Sequence, residues 1–412
     1  MAELPNSRIA EGWRAMRVSA YRDWHTQVVW WVFRVDAPTW RRFLRLVRPL
    51  MEQATLIAAR DPSQDAYLLG VPASLHGMLF QQVYEHIQQD EVGRLHHEYD
   101  DIEPLWHEMR ARWEALQTVE FVLPMPHGDL VVGPGRPLWM GIVNLTPDSF
   151  YPGSRAPDVD QAVRLALALY QEGADLIDLG GQSTRPGSED LSPEEEWKRV
   201  EPVLQALRPL LPIPISIDTF YARVADRAIQ MGADLINDVT AGTYDPDMFR
   251  VARFHGVPIV LMHYYERIRP MPREPIYENV VWDVVDFLRR RIEAALQAGV
   301  RLEQIVVDPG IGFGKKPEHN LQLIRHLGLL QSLGRPILVG PSRKSFMAYA
   351  HVGGPEDRLE GTLAACVWAW MAGARIFRVH DVWPLRKGLA VWLAIQQARY
   401  DPSMPWNLRG WL

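Results

Sequence analysis

Cysteine is almost missing from this chain. A single residue, Cys366, among 412 leaves no intrachain disulfide and no thiolate metal cluster to consider. It stands in the apolar stretch TLAACVWAWMAG, where a buried, inert thiol is the expected state. Charge of one sign is also scarce. A formal net charge of −6 and a pI near 6.1 exclude a broad attraction to nucleic acid or anionic membrane. No uninterrupted apolar run approaches the roughly 18 residues of a membrane span, and no charged-then-apolar leader opens the sequence. A soluble, cytoplasmic protein is therefore expected. The first 120 residues hold no phosphate-binding glycine loop and no acidic metal cluster, so a second fused nucleotide or metal enzyme is not expected there. His76, His86, His96, His97 and His107 fit no metal-ligand spacing and read as solvated or packed side chains.

What is present is a repeating unit. From Trp139 to His380, short apolar runs end in polar residues and are followed by segments of helix length. The runs are PLWMGIV, ADLIDL, IPISI, ADLIN, PIVLM, IVV, RPILVG and ARIFRV. Their polar endings are Asn144, Asp178, Asp218, Asn237, His263, Asp308, Ser342 and the Arg378–His380 pair. Continuous apolar runs predict strands covered on both faces, hence a parallel sheet with helices outside. Their number is that of a (β/α)8 TIM barrel, a fold that places its chemistry at the strand C-termini. Gly173, Gly232, Gly256, Gly299, Gly334 and Gly373, each just ahead of a run, predict left-handed helix ends. Ser192-Pro193-Glu194-Glu195 predicts a capping box with proline at the first helical position.

FVLPMPHGDLVVG predicts a hairpin that plugs the amino-terminal mouth of the barrel. It sets the expected domain boundary: residues 1–120 form an additional, mainly helical α+β domain, and 121–412 the barrel. In the first domain Asp36 caps a helix carrying Pro38 in its first turn. Leu44, Val47, Leu50, Met51, Ala54 and Ile57 extend that helix as one apolar stripe. QVVWWVFRV reads as a strand, PASLHGMLFQQVYEHI and PLWHEMRARWEALQ as further helices. The role of this domain is left open between packing on the barrel, lengthening its rim and supplying a dimer surface.

Chemistry is expected at the strand ends. Asp218, Asn237 and Asp308 would face one cavity from different strands. There they would act as acceptors, and an amide, for the N–H donors of a flat heterocycle; buried carboxylates are costly without such partners. Gly180-Gly181-Gln182-Ser183-Thr184-Arg185-Pro186-Gly187 has the composition of a loop that closes over substrate. Arg378 and His380 lie two apart on one strand and share a face; with Lys344 and Asn144 they would form an anion site.

These stretches resemble dihydropteroate synthases, of the pterin-binding (β/α)8 family. The matching motifs are MGIVNLTPDSF, DLGGQSTRPGSE, ISIDT, LINDVTAG, VLMH, DPGIGFGK, SRKSF and RVHDV, in that order over about residues 122–400. The resemblance implies condensation of 4-aminobenzoate with 6-hydroxymethyl-7,8-dihydropterin diphosphate. It places Asp218, Asn237, Asp308 and Lys344 on the pterin, and Asn144, Arg378 and His380 on the diphosphate, with Mg2+ at Asn144. It places Thr184, Arg185, Pro186, Phe313 and Ser345 around the aminobenzoate. Lys344, Asp308, Arg378 and His380 would stand closest to the reaction, and a homodimer is implied.

The chain departs from the family pattern at Pro152, where an aspartate is usual; Ser154 or Asp158 are the candidates to replace it, or no replacement is required. Gln182 stands for a common glutamate, and YYERIRP after His263 lacks a glycine-bearing turn. Two other readings stay open. One is a paralogue that binds pterin without turnover, favoured by Pro152. The other is a pterin-dependent methyltransferase, which would have no use for Lys344, Arg343, Arg378 and His380 as an anion site.

Overall fold

The structure, a computed structural model, describes residues 18–23, 28–33, 35–53, 57–61, 66–72, 79–81, 83, 102–117, 120–145, 158–182, 191–264, 277–350 and 353–398. Eight parallel strands close into a barrel in the order β10-β11-β12-β13-β14-β7-β8-β9. They are β7 (Leu138–Asn144), β8 (Leu176–Gly180), β9 (Ile215–Asp218), β10 (Leu235–Asp238), β11 (Ile259–Met262), β12 (Ile305–Asp308), β13 (Ile337–Val339) and β14 (Ala374–Val379). Every apolar run named above forms one of them. Around them run α3 (Val159–Gln171), α4 (Pro193–Leu207), α5 (Ala222–Gln230), α6 (Met248–His255), α7 (Val280–Gln297), α8 (Pro317–Arg325), α9 (Leu359–Met371) and α10 (Val382–Gln397). The Ser192 capping box opens α4 as expected. Gly173 and Gly232 close their helices at φ +96 and +102°, a conformation that a Cβ disfavours.

Strand pleating sorts the barrel into layers. Leu176, Leu235, Val260, Val306, Leu338 and Ile376 point inward and form one apolar cluster with Leu138 and Met140. Their chain neighbours Ile177, Ile236, Ile259, Leu261, Ile305, Val307, Ile337 and Phe377 belong instead to the cluster under the helices. Two residues further along the strands, on the inward side, come Asp178, Asn237, Asp308 and Arg378. The charged layer thus rests directly on an apolar one.

The hairpin β5 (Phe121–Leu123) and β6 (Leu130–Val132) seals the lower layer, since Leu123, Met125 and Val132 join the same cluster. His127 at its turn meets the buried Asp234 at 2.6 Å, which also pairs with Arg208 at 2.9 Å. This is the plug expected from the sequence.

The N-terminal region is partly helical, as expected, and carries more strand than its sequence reading named. It holds a four-stranded antiparallel sheet in the order β1-β2-β4-β3: β1 (Val18–Asp23), β2 (Val28–Phe33), β3 (Ile57–Asp61) and β4 (Ala66–Pro72). Helix α1 (Ala37–Gln53) begins at Asp36, whose Oδ1 accepts from Thr39 N at 2.7 Å. It stops before Ile57, which starts β3 and leaves the helical stripe. Helix α2 (Glu103–Gln117) matches the last predicted helix; of the one predicted over PASLHGMLFQQVYEHI, Pro72 ends β4, and residues 79–81 and 83, the others described, are helical. Trp31, Phe33, Trp40, Phe43 and Leu105 share their own core. Arg112 of α2 donates to Ser332 O at 3.1 Å, on the 3-10 helix Leu327–Leu333 of the barrel. Of the scattered histidines only His107 is described, and it is exposed.

Among the described residues no helix is long and apolar enough to cross a membrane, and no cluster of three or more His, Cys, Asp or Glu is arranged for a metal.

Candidate active site

Asp178 is the hub of one half of the barrel mouth. Fully buried in the middle of β8, it accepts from Ser216 Oγ at 2.6 Å, Asn237 Nδ2 at 3.2 Å and Arg378 Nε at 2.6 Å. Arg378 reaches on with Nη2 to Asp218 Oδ2 at 2.8 Å. A buried carboxylate is tolerated only with such partners, and here one guanidinium serves two of them. The sequence reading set Asp178 at a strand end and gave it no role. The strand runs on to Gly180, and the signal that marks Asp178 is a charged residue inside an otherwise apolar run.

The other half is built by the loop after β12. Asp308 Oδ1 accepts from Gly310 N at 2.7 Å, and the chain turns back over the mouth. Gly310 sits at φ +68° with no room for a Cβ, which would fall 1.9 Å from His263 O. Lys315 fixes this loop from beneath, donating to Gly310 O and Phe313 O at 2.9 Å and His263 O at 3.2 Å, beside His263 Nδ1 at 2.9 Å. Its role was not foreseen, because a lysine in a motif carries no sign of whether it faces ligand or backbone. Lys344 Nζ donates to Ile311 O and stands 4.2 Å from the Phe313 ring centre. Tyr264 packs edge-on against the same ring at 5.9 Å.

The two halves share one field. Burial raises the Asp218 carboxyl to about 7, with Arg378 opposing and Asp178 and Asp238 adding to the rise. Burial lowers the Lys344 ammonium to about 7, against the pull of Asp308 and Asp218. Burial also raises Asp308. Burial pulls Arg378 down, but Asp178, Asp218 and Asp308 together outweigh it and its charge is held. Burial and the neighbouring Arg378, Arg343 and Lys344 drive His380 down to about 3, so without an anion it is a neutral imidazole bonded to Ser342 Oγ at 2.9 Å. The mouth can therefore accept hydrogen bonds on one side and bind negative charge on the other.

Of the expected site residues, Asp218, Asn237, Asp308, Lys344, Arg378 and His380 meet here. Asn144 ends β7, and its Oδ1 and Asp218 Oδ2 lie 3.6 and 3.7 Å from where a Gly180 Cβ would be. Phe313 lies beside Lys344, and Ser345 opens the 3-10 helix Ser345–Ala350 with an exposed side chain. Thr184, Arg185 and Pro186 lie outside the described residues, as do Pro152 and Ser154. Two expectations are corrected. Asp158 caps α3 through Gln161 N at 2.8 Å, which occupies it as a helix cap and removes it as a stand-in for the missing aspartate. Arg343 is not an anion ligand: its guanidinium is held by Asp381 at 2.6 and 2.8 Å.

The family model described as "pterin binding enzyme" matches residues 140–380, from Met140 in β7 to His380 after β14. The chain belongs to the pterin binding enzyme family. A dihydropteroate synthase of Synechocystis sp. is 44% identical over 264 residues, 64% of this chain and 91% of that protein. A Xanthomonas albilineans dihydropteroate synthase, solved with 4-aminobenzoic acid, superposes with a TM-score of 0.60 at 42% identity, covering 65% of this chain and 96% of that one. The same enzyme solved with 7,8-dihydropteroate gives 0.57 at 39% identity, covering 65% and 96%. Residues 1–139 and 381–412 lie outside the family match.

Proposed function

We propose that the chain catalyses the dihydropteroate synthase reaction, a transferase step of folate biosynthesis. The amine of 4-aminobenzoate bonds to the methylene of 6-hydroxymethyl-7,8-dihydropterin diphosphate, and the C–O bond to diphosphate breaks. Diphosphate leaves with the electron pair, and the amine gives up a proton to solvent. The observation that carries this reading is a buried acceptor wall fused to a cationic one at the barrel mouth, in a chain of this family.

Asp218, Asn237 and Asp308 would bind the pterin N–H groups, with Lys344 against the ring. Arg378 and His380, with Asn144, would take the diphosphate; an arriving anion favours protonation of His380 and draws on the Arg378 charge already present. Phe313 and Ser345 would border the aminobenzoate, joined by Thr184, Arg185 and Pro186. The amine is a nucleophile without deprotonation, so holding it in line matters more than a strong base. Mg2+ fits by donor chemistry: Asn144 Oδ1 and Asp218 Oδ2 face one space over Gly180. A few hard oxygens suit an ion that takes the rest of its shell from phosphate and water. When bound, it neutralises charge on the leaving diphosphate.

The division at residue 120 and a place in the cytoplasm belong to the same reading. So does a homodimer through α9 and α10, where Trp368, Met371, Trp383, Val391 and Ile395 are exposed apolar side chains. Light scattering at monomer mass would remove that element. The test of the reaction itself is product identification: protein mixed with both substrates and Mg2+ should yield 7,8-dihydropteroate by mass spectrometry. A folded protein that yields none refutes it.

A further inference from the structure

Arg343 sits at the centre of a junction that the reaction scheme above does not use. It is one of two non-glycine residues among those described with a left-handed backbone, at φ +53°. That conformation is unfavourable for a residue with a Cβ and persists only where surroundings enforce it. Here they do. Arg343 N donates to Thr362 Oγ1 at 3.0 Å, and its carbonyl accepts from Arg358 Nη1 at 3.2 Å. Nε and Nη2 fork onto the two Asp381 oxygens at 2.6 and 2.8 Å, while Nη1 donates to Pro355 O at 2.7 Å and Glu356 O at 3.0 Å. The side chains of the pair are 6% and 15% exposed, so the ion pair is sheltered from solvent screening.

Its position in the chain gives the pair a consequence. Ser342, one residue before, is bonded to His380, one residue before Asp381. Lys344 follows directly. Two cross-links, Ser342 to His380 and Arg343 to Asp381, therefore tie the loop after β13 to the loop after β14. Lys344 hangs from the first loop; His380 opens the second, and Arg378 stands two residues earlier, on β14 itself. We propose that the Arg343–Asp381 pair is a positioning clamp that fixes the spacing between the pterin-side cation Lys344 and the diphosphate-side groups Arg378 and His380. Neither residue touches substrate. The clamp matters only to a ligand that must engage both loops at once, because the geometry of joined parts is what a fixed spacing serves.

The inference rests on the proposed function for the identity of that joined ligand, and its test separates the two. Arg343→Lys keeps the charge but cannot supply the planar fork and reach both carbonyls. Asp381→Asn keeps the shape and removes the acceptor charge. For each variant, calorimetry would give affinities for three ligands: 6-hydroxymethyl-7,8-dihydropterin, inorganic diphosphate with Mg2+, and the joined pterin diphosphate. The clamp predicts changes below about threefold for the two separate ligands and a loss of tenfold or more for the joined one. The double variant should lose no more than the worse single one, since both remove a single contact. Equal weakening of all three ligands, or wild-type affinity for the joined ligand in a folded Arg343→Lys protein, would overturn the clamp. Failure of the wild type itself to bind the pterin diphosphate would instead overturn the proposed function.

Discussion

The two mouths of the barrel use the same eight strands for opposite ends. At the amino-terminal mouth, Leu176, Leu235, Val306 and Ile376 pack under Leu123 and Val132 of the hairpin, and all are fully or nearly buried. At the carboxyl-terminal mouth, two residues on, Asp178, Asn237 and Asp308 are buried but polar or charged, and Arg378 is half-buried beside them. One end loses apolar surface and is stabilising. The other confines charge at a cost, offset by pairing carboxylates with one guanidinium and by backbone donors such as Gly310 N. A single strand period of two residues separates structure from chemistry, so substitutions a step apart should behave differently.

The largest contrast should come from Lys344→Ala. We expect turnover to fall by about three orders of magnitude, the scale of removing a group that stabilises developing charge. The thermal unfolding curve should barely move; a variant that keeps normal activity would remove Lys344 from the site. Leu176→Ala, at the other mouth, should do the reverse. It should cost about 2–5 kcal/mol of stability, measured by denaturant unfolding, while the KM of the folded fraction stays unchanged. A changed KM with unchanged stability would break the division between the two ends.

A smaller effect is expected at Glu196, which is fully buried on α4 behind the site. Burial raises its carboxyl to about 8; Thr219 lies close enough to oppose the shift without meeting hydrogen-bond geometry, and Asp218 adds to it. The native state then holds a proton that the unfolded chain releases near pH 4.5. Stability attributable to this group is complete below pH 4.5, declines as pH rises toward 8 and is flat above. Glu196→Gln should abolish that slope, a difference of a few kcal/mol across the window. Parallel pH–stability curves for the two proteins would show that Glu196 does not hold the proton. Smallest of all, Asp36→Ala should cost about 1 kcal/mol through the lost cap on α1, seen in unfolding and absent from kinetics.

How much was legible differs along the chain for physical reasons. The barrel strands are buried on both faces, so each reads as an apolar run, and α3, α5, α6, α7 and α9 each end on a glycine at positive φ. The N-terminal sheet offers such a mark only in β2, the strand read from QVVWWVFRV. Its β1 is VSAYRD and its β3 is IAARD, short segments ending in charge, and Ile57 happens to extend the periodicity of α1. Within the site, Asp218, Asn237 and Asp308 were readable because they end runs. Asp178 was named as a run's ending but given no role, because Leu179 and Gly180 carry the strand past it. Arg343 and Lys344 are adjacent cations in sequence. Only the fold brings Asp381, 38 residues on, against the first and leaves the second beside Phe313. Sequence gives the sign of a charge; its partner is a property of the closed barrel.

The central claim is that the charged mouth separates diphosphate from a pterin only when the arylamine is there to take its place. The direct measurement is diphosphate release by the wild-type protein with pterin diphosphate and Mg2+, with and without 4-aminobenzoate. The account predicts release that depends on the arylamine and matches the dihydropteroate formed, mole for mole. Tight binding of the pterin diphosphate with no release in either condition would contradict it, and would leave a pterin-binding protein without turnover.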